Sequence, residues 1–314
     1  MKYGKAIQGM LCLALLLCGS AMAEARIAIS CPYAPDGWIA AAAWSAETAA
    51  EALGLNYMLK MAGSGEEQAD DLELMAEQDY EYIILYPVSD EVETAAQRAM
   101  KAGATLIAFC SNPGGVEPDY GLTFDDAQFG ALGAAYLGEK LGGVGRVALV
   151  ARASDAASER RAAACRDALK ENYPEIEIAG TFAADDAADI DARMAEILAE
   201  NPRLDGVYCC DEALATGMLR FLEAQGRLSE GGVKALCCFG GSRAYFDLMD
   251  EYGDRFALAA QTASPCMLGE LVRACDGLAR GEGFAEAILA PETVERTNVD
   301  EWLLRSGIAE NAPF

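Results

Sequence analysis

Histidine is absent from all 314 residues of this chain. That excludes every mechanism built on imidazole, including Ser-His-Asp and Cys-His catalysis. Bases are scarce too: 24 Lys and Arg stand against 50 Asp and Glu, a formal charge of -26. Such a surface repels phosphate backbones and anionic lipid, so nucleic acid is not expected as a partner, and solubility is the plain consequence. Cys-x-x-Cys does not occur, so the usual zinc and redox spacing is missing. Neither a G-x-x-x-x-G-K-[ST] phosphate loop nor a G-x-S-x-G nucleophile elbow is found. No apolar run reaches the roughly 20 residues that a membrane-spanning helix needs.

What is present begins with an export signal. Lys2 and Lys5 form a basic start, "MLCLALLLC" is a short apolar core, and Ala21-Met22-Ala23 fits a small-x-small cleavage site. Residues 1–23 are therefore expected to be removed, leaving an exported, periplasmic or cell-surface protein. Lipid attachment at Cys18 is the competing reading, disfavoured because Leu17 before it is not small. The remaining nine cysteines are an odd number, which leaves at least one free thiol in an exported chain. Most of them close apolar runs, where cysteine behaves as a small buried hydrophobe.

Past the leader, short apolar runs alternate with helical patterns. "RIAIS", "LNYMLKM", "YEYIILY" and "TLIAFC" are each followed or separated by amphipathic or Ala-rich stretches. After "YGLTF" a second set runs through "RVALVA", "IEIAGTF", "DGVYCC", "VKALCCF" and "FALAAQ". This alternation predicts an α/β fold of parallel sheets covered on both faces, in two doubly wound domains.

Ligands of open parallel sheets bind beyond the carboxyl ends of the strands. The residues there include Tyr33, Asp36, Trp38, Tyr86, Ser111, Asn112, Glu159, Arg160, Asp211, Phe239 and Gln261. Aromatic faces supply contact area in such a pocket, and a few polar groups fix orientation. The stretch "VYCCDEALATG" (207–217) poses the sharpest question, because a buried strand ends directly in Asp211 and Glu212. Asp211 either caps the next helix or is delivered to a ligand. "GVGRVA" (143–148) matches a dinucleotide pattern but precedes a strand where it should follow one. "FGGS" (239–242) and the pair Asp125-Asp126 read more plainly as a tight turn and a helix cap. No catalytic constellation survives, so an enzyme is not expected.

These segments together resemble the type I periplasmic substrate-binding proteins of ABC importers, the ribose-, galactose- and autoinducer-2-binding group. "GWIAAAAWSAETAAEALG" is similar to that family's first helix. "YEYIILYPVSDEVETAAQRAMKAGATLIAFCSN", "DDAQFGALGAAYLGEKLGG", "DGVYCCDEALATGMLRFLEAQGR", "VKALCCFGGSRA" and "ALAAQTASPCMLGELVRA" follow in its order.

The resemblance implies two lobes joined by a three-strand hinge: residues 24–124 plus 263–290, and 125–262 plus 291–314. It also implies that a monomer traps a small polar ligand, a sugar or polyol, between the lobes and delivers it to an ABC permease. Neither cofactor nor metal is implied. A receptor reporting to a membrane sensor would look the same in sequence, whereas a sugar-type repressor would need a helix-turn-helix before the first strand. Carried over by position, one ring of the family's aromatic pair is kept as Trp38, preceded by Asp36, while the other falls on Ile39. Tyr86, Ser111 and Asn112 replace other ligand positions. The ligand arginine aligns with Glu159, beside Arg160 and Arg161. Asp211, Phe239 and Gln261 complete the set. The pentose-reading polar residues are thus largely rewritten.

Overall fold

Two six-stranded sheets share the chain. The computed structural model describes residues 25–153, 155–228, 231–285 and 287–314, so the leader lies outside the described residues. The first stretch runs β1 (Arg26–Pro32), α1 (Gly37–Leu53), β2 (Asn56–Ala62), α2 (Gly65–Glu77), β3 (Tyr82–Leu85), α3 (Glu93–Ala102), β4 (Thr105–Cys110) and β5 (Tyr120–Phe124). The second runs α4 (Asp126–Leu141), β6 (Val144–Arg152), α5 (Ala156–Asn172), β7 (Glu175–Ala184), α6 (Ala187–Glu200), β8 (Gly206–Cys209), α7 (Glu212–Ala224), β9 (Ala235–Phe239), α8 (Arg243–Tyr252) and β10 (Ala257–Thr262). Then come α9 (Met267–Ala279), β11 (Ala287–Leu289), β12 (Glu292–Glu295) and α10 (Val299–Ser306).

The sheet orders are β2-β1-β3-β4-β5-β11 and β7-β6-β8-β9-β10-β12. All pairings are parallel except β12 against β10. In each sheet the order reverses beside the first strand, which opens a crevice at the carboxyl ends. The chain passes between sheets after β5, after β10 and after β11. This is the type I periplasmic binding protein fold, two α/β lobes on three crossings.

Local chemistry sets the helix starts. Asp125, Asp155, Asp186, Asp211 and Ser242 each accept a backbone N–H of the helix they precede, satisfying donors that would otherwise be orphaned. α9 follows a strand of the second sheet yet packs on α1 of the first. Gly269 makes this approach feasible, since a Cβ there would lie 2.7 Å from the Ser45 carbonyl oxygen. The Ser45 hydroxyl accepts the Gly269 N–H at 3.1 Å and fixes the contact. Neither β11 nor α10 stands out in the sequence: the first is three residues long and the second eight. Among the described residues no helix is long and apolar enough to cross a membrane.

Eight of the nine described cysteines are buried, with Cys266 half-buried. Burial pushes the thiols of Cys31, Cys210 and Cys275 up to about 12, so they stay protonated and unreactive at neutral pH. They act as packing. Cys209→Ala or Cys237→Ala should cost about 1 kcal/mol of stability and leave ligand affinity unchanged. Melting curves alongside titration calorimetry check this. An affinity loss larger than the stability loss would contradict it.

Candidate functional site

A cavity of about 640 Å³ lies where the strand ends of the two lobes face each other. It continues into a wider opening rimmed by Pro87, Asn112, Asp125 and Arg160. Its wall is aromatic. Trp38 lies flat against Phe109, with centroids 6.0 Å apart and planes 13° apart. Its indole N–H donates to the Ala263 carbonyl at 2.7 Å, so the first residues of α1 are tied to the crossing after β10. Phe124 sits 5.8 Å from Trp38 and 5.9 Å from Phe239, carrying the row of rings from one lobe to the other. Tyr86 meets Phe109 edge-on at 5.7 Å, and burial raises its phenol well above the ordinary range.

The cationic groups come from the second lobe. α4 and α5 approach so closely at Gly130 that a Cβ there would lie 2.4 Å from the Arg161 carbonyl oxygen. Arg161 itself is buried. Its guanidinium lies 3.6 Å over the Phe239 ring, a close cation–π contact. Its Nε donates to Asp126 Oδ1 at 2.9 Å, while Asp155 stands 3.9 Å from Nη1. Asp126 is shared, because Arg160 Nε donates to its other oxygen at 2.9 Å. Arg152, the last residue of β6, forks onto Asp211: Nη2 to Oδ1 at 2.6 Å and Nε to Oδ2 at 3.2 Å.

The acids that end β8 now have an explanation. Asp211 Oδ1 accepts the Leu214 N–H at 3.0 Å and caps α7 while the same carboxylate pairs with Arg152. Glu212 turns the other way. Its Oε2 accepts the Gly241 N–H at 2.6 Å, and its Oε1 accepts the Ser242 hydroxyl. Burial raises its carboxyl above the ordinary value, and the bonds from Ser242 and Gly241 pull it partly back.

Of the residues singled out in the sequence, Asp36, Trp38, Tyr86, Ser111, Asp211 and Phe239 line the cavity, and Asn112 and Arg160 line its opening. Three do not join them. Tyr33 is 63% exposed, its backbone bonded to Ala62 at the end of the β1–β2 ladder and its ring turned to solvent. Glu159 is exposed on α5, because two residues along a helix turn the side chain roughly 200° away from Arg161. Gln261 is wholly buried in β10 and is not among the residues that line the cavity.

Arg152 and Phe124 also line the cavity without having been singled out in the sequence, and so do Arg161, Asp126 and Glu212, which the sequence offers only as a neighbour of the aligned position, a helix cap and the companion of Asp211. The signal for Arg161 was its phase: Ala157 and Arg161, four apart on the helix capped by Asp155, share the cavity face. Arg152 needed only that β6 be read to its last residue.

Residues 27–263 match the sequence model of the periplasmic binding protein domain family. No curated protein matches the chain. Among solved structures, it is similar to an ABC transporter periplasmic solute-binding protein from Actinobacillus succinogenes 130z with bound D-allose. The two are 19% identical with a TM-score of 0.77, over 89% of this chain and 100% of the other. An arabinose-binding protein from Geobacillus stearothermophilus is 18% identical with a TM-score of 0.76, over 89% and 99% of the two chains. A solute-binding protein from Agrobacterium vitis bound with α-D-tagatopyranose is 18% identical with a TM-score of 0.77, over 91% and 100%. At these identities the likeness is one of fold.

Proposed function

The chain belongs to the periplasmic binding protein domain family, and from that premise we propose that it captures a sugar or polyol outside the cytoplasm and delivers it to an ABC permease. It is a binding protein and not an enzyme. One observation carries the reading: the cavity joins an aromatic wall to a guanidinium held over the Phe239 ring by Asp126. A sugar presents an apolar C–H face and a rim of hydroxyls. Rings accept the first, and charged hydrogen-bonding groups accept the second. The lining carboxylates Asp36, Asp126, Asp155, Asp211 and Glu212 outnumber Arg152 and Arg161. A carboxylate or phosphate ligand would meet net repulsion, whereas a neutral polyol would not. The D-allose, arabinose and tagatopyranose of the similar structures support the class without naming the member.

The lobes we assign are 24–124 plus 263–290 and 125–262 plus 291–314, closing as a monomer by hinge motion at the crossings. The leader read at 1–23 supports an extracytoplasmic location. A thermal-shift screen over D-allose, D-arabinose, D-tagatose, polyols, amines and organic acids tests the class, since a tight ligand raises the melting temperature by mass action. The sugar that stabilises should also shrink the radius of gyration in solution scattering. Stabilisation by an organic acid alone, or unchanged scattering at saturation, would sink the proposal.

A further inference from the structure

The cavity wall after β9 is bare backbone. Gly240 and Gly241 adopt φ of +132° and +127°, conformations that L side chains rarely take. The side chain covering this stretch is Glu212, contributed by the adjacent β8-to-α7 connection. A Cβ built on Gly240 would lie 2.8 Å from Glu212 Cβ and 3.1 Å from Glu212 Oε2. Glu212 therefore occupies the room that a residue at 240 would otherwise fill, and it lines the cavity beside Phe239 and Ser242.

Its charge is held differently from those of its neighbours. Asp211 faces Arg152, and Asp126 faces Arg160 and Arg161. No Lys or Arg among the described residues forms an ion pair with Glu212; the bonds that hold it come from the neutral Gly241 amide and Ser242 hydroxyl. A carboxylate offers about four acceptor positions, so those anchors fix its orientation without exhausting it. The remaining capacity sits on an un-neutralised carboxylate at a cavity whose two lining arginines, Arg152 and Arg161, can only donate. A hydroxyl both donates and accepts, so a polyhydroxy ligand needs partners of both kinds.

Resting on the sugar reading above, we infer that Glu212 is a specificity-determining ligand contact that accepts a hydrogen bond from one defined hydroxyl of the sugar. Glu212 and the Gly240–Ser242 turn would read the ligand as a unit, the glycines supplying room and the carboxylate supplying the acceptor.

The test is calorimetry with the first of D-allose, D-arabinose and D-tagatose that the wild-type protein binds, together with its monodeoxy analogues, on wild type and on Glu212→Gln. The Gln carbonyl can still accept the Gly241 N–H and its amide can donate to Ser242, so the turn and the melting temperature should hold. The expected result is a loss of about 10- to 150-fold for the parent sugar. One deoxy analogue should bind wild type and variant alike, because the hydroxyl that Glu212 holds is already gone. A penalty equal on every analogue would mean that Glu212 only positions the turn, and an absent penalty would remove it from the site; either overturns the inference alone. Failure of the wild-type protein to bind any of the three sugars would overturn the sugar reading and this inference with it.

Discussion

Arg161→Ala should weaken sugar binding by about 10- to 150-fold while the protein remains folded. A hydrogen bond to a charged group contributes roughly 1.5–3 kcal/mol, and each 1.4 kcal/mol is about a factor of ten in affinity. Folding should survive because Asp126 keeps Arg160 as a partner. Arg161→Lys should recover only part of the loss, since an ammonium carries the charge but neither the planar fork nor the ring contact over Phe239. Arg160→Ala is the control: its side chain is 59% exposed, and its removal should move affinity far less. Calorimetry on the three variants decides. Equal losses for Arg160→Ala and Arg161→Ala would show that the effect runs through the charge of Asp126 and not through contact with the ligand.

The second large effect falls on stability. Asp211→Ala removes the α7 cap, worth about 1 kcal/mol, and strands Arg152 at the cavity wall. Breaking a fully buried pair costs about 3–5 kcal/mol. The partners here are 27% and 29% exposed, so solvent screening reduces that part substantially. A total of roughly 2–4 kcal/mol is expected. Asp211→Asn keeps an acceptor for the Leu214 N–H and should lose less. The double variant Arg152→Ala/Asp211→Ala should be less damaged than the two single losses added, because no charge is left stranded. Strict additivity in thermal or urea unfolding would show that the pair contributes nothing and Asp211 is a cap alone.

The pairing also shows where sequence reading stops. Asp211 was visible as a cap candidate because it stands between an apolar run and a helical pattern. Its partner lies 59 residues earlier, and the two are level only because Val150 pairs with Cys209 in the β6–β8 register. Register is a property of assembled strands, so no local pattern announces it. The alternation of runs and helices, by contrast, is local chemistry, and it carried the two-sheet reading together with the caps at Asp125 and Asp211. Gln261 and Glu159 lie outside the cavity lining for a related reason. Each was placed by position along the chain, while the face of β10 and the phase of α5 determine where a side chain goes. β11 escaped because three residues make no period.

Trp38 has an optical consequence. The protein has three tryptophans. Trp302 is buried in the second lobe against Phe246 and Phe314, Trp44 is half-buried on α1, and Trp38 alone of the three lines the cavity. Its indole is bonded to the crossing after β10 and packs against the cores of both lobes. Ligand arrival changes the polarity around that indole, and a change in lobe angle changes its quenching neighbours. The protein thus carries its own emission reporter of occupancy, and an unlabelled sample in a fluorimeter can be titrated with a candidate sugar directly.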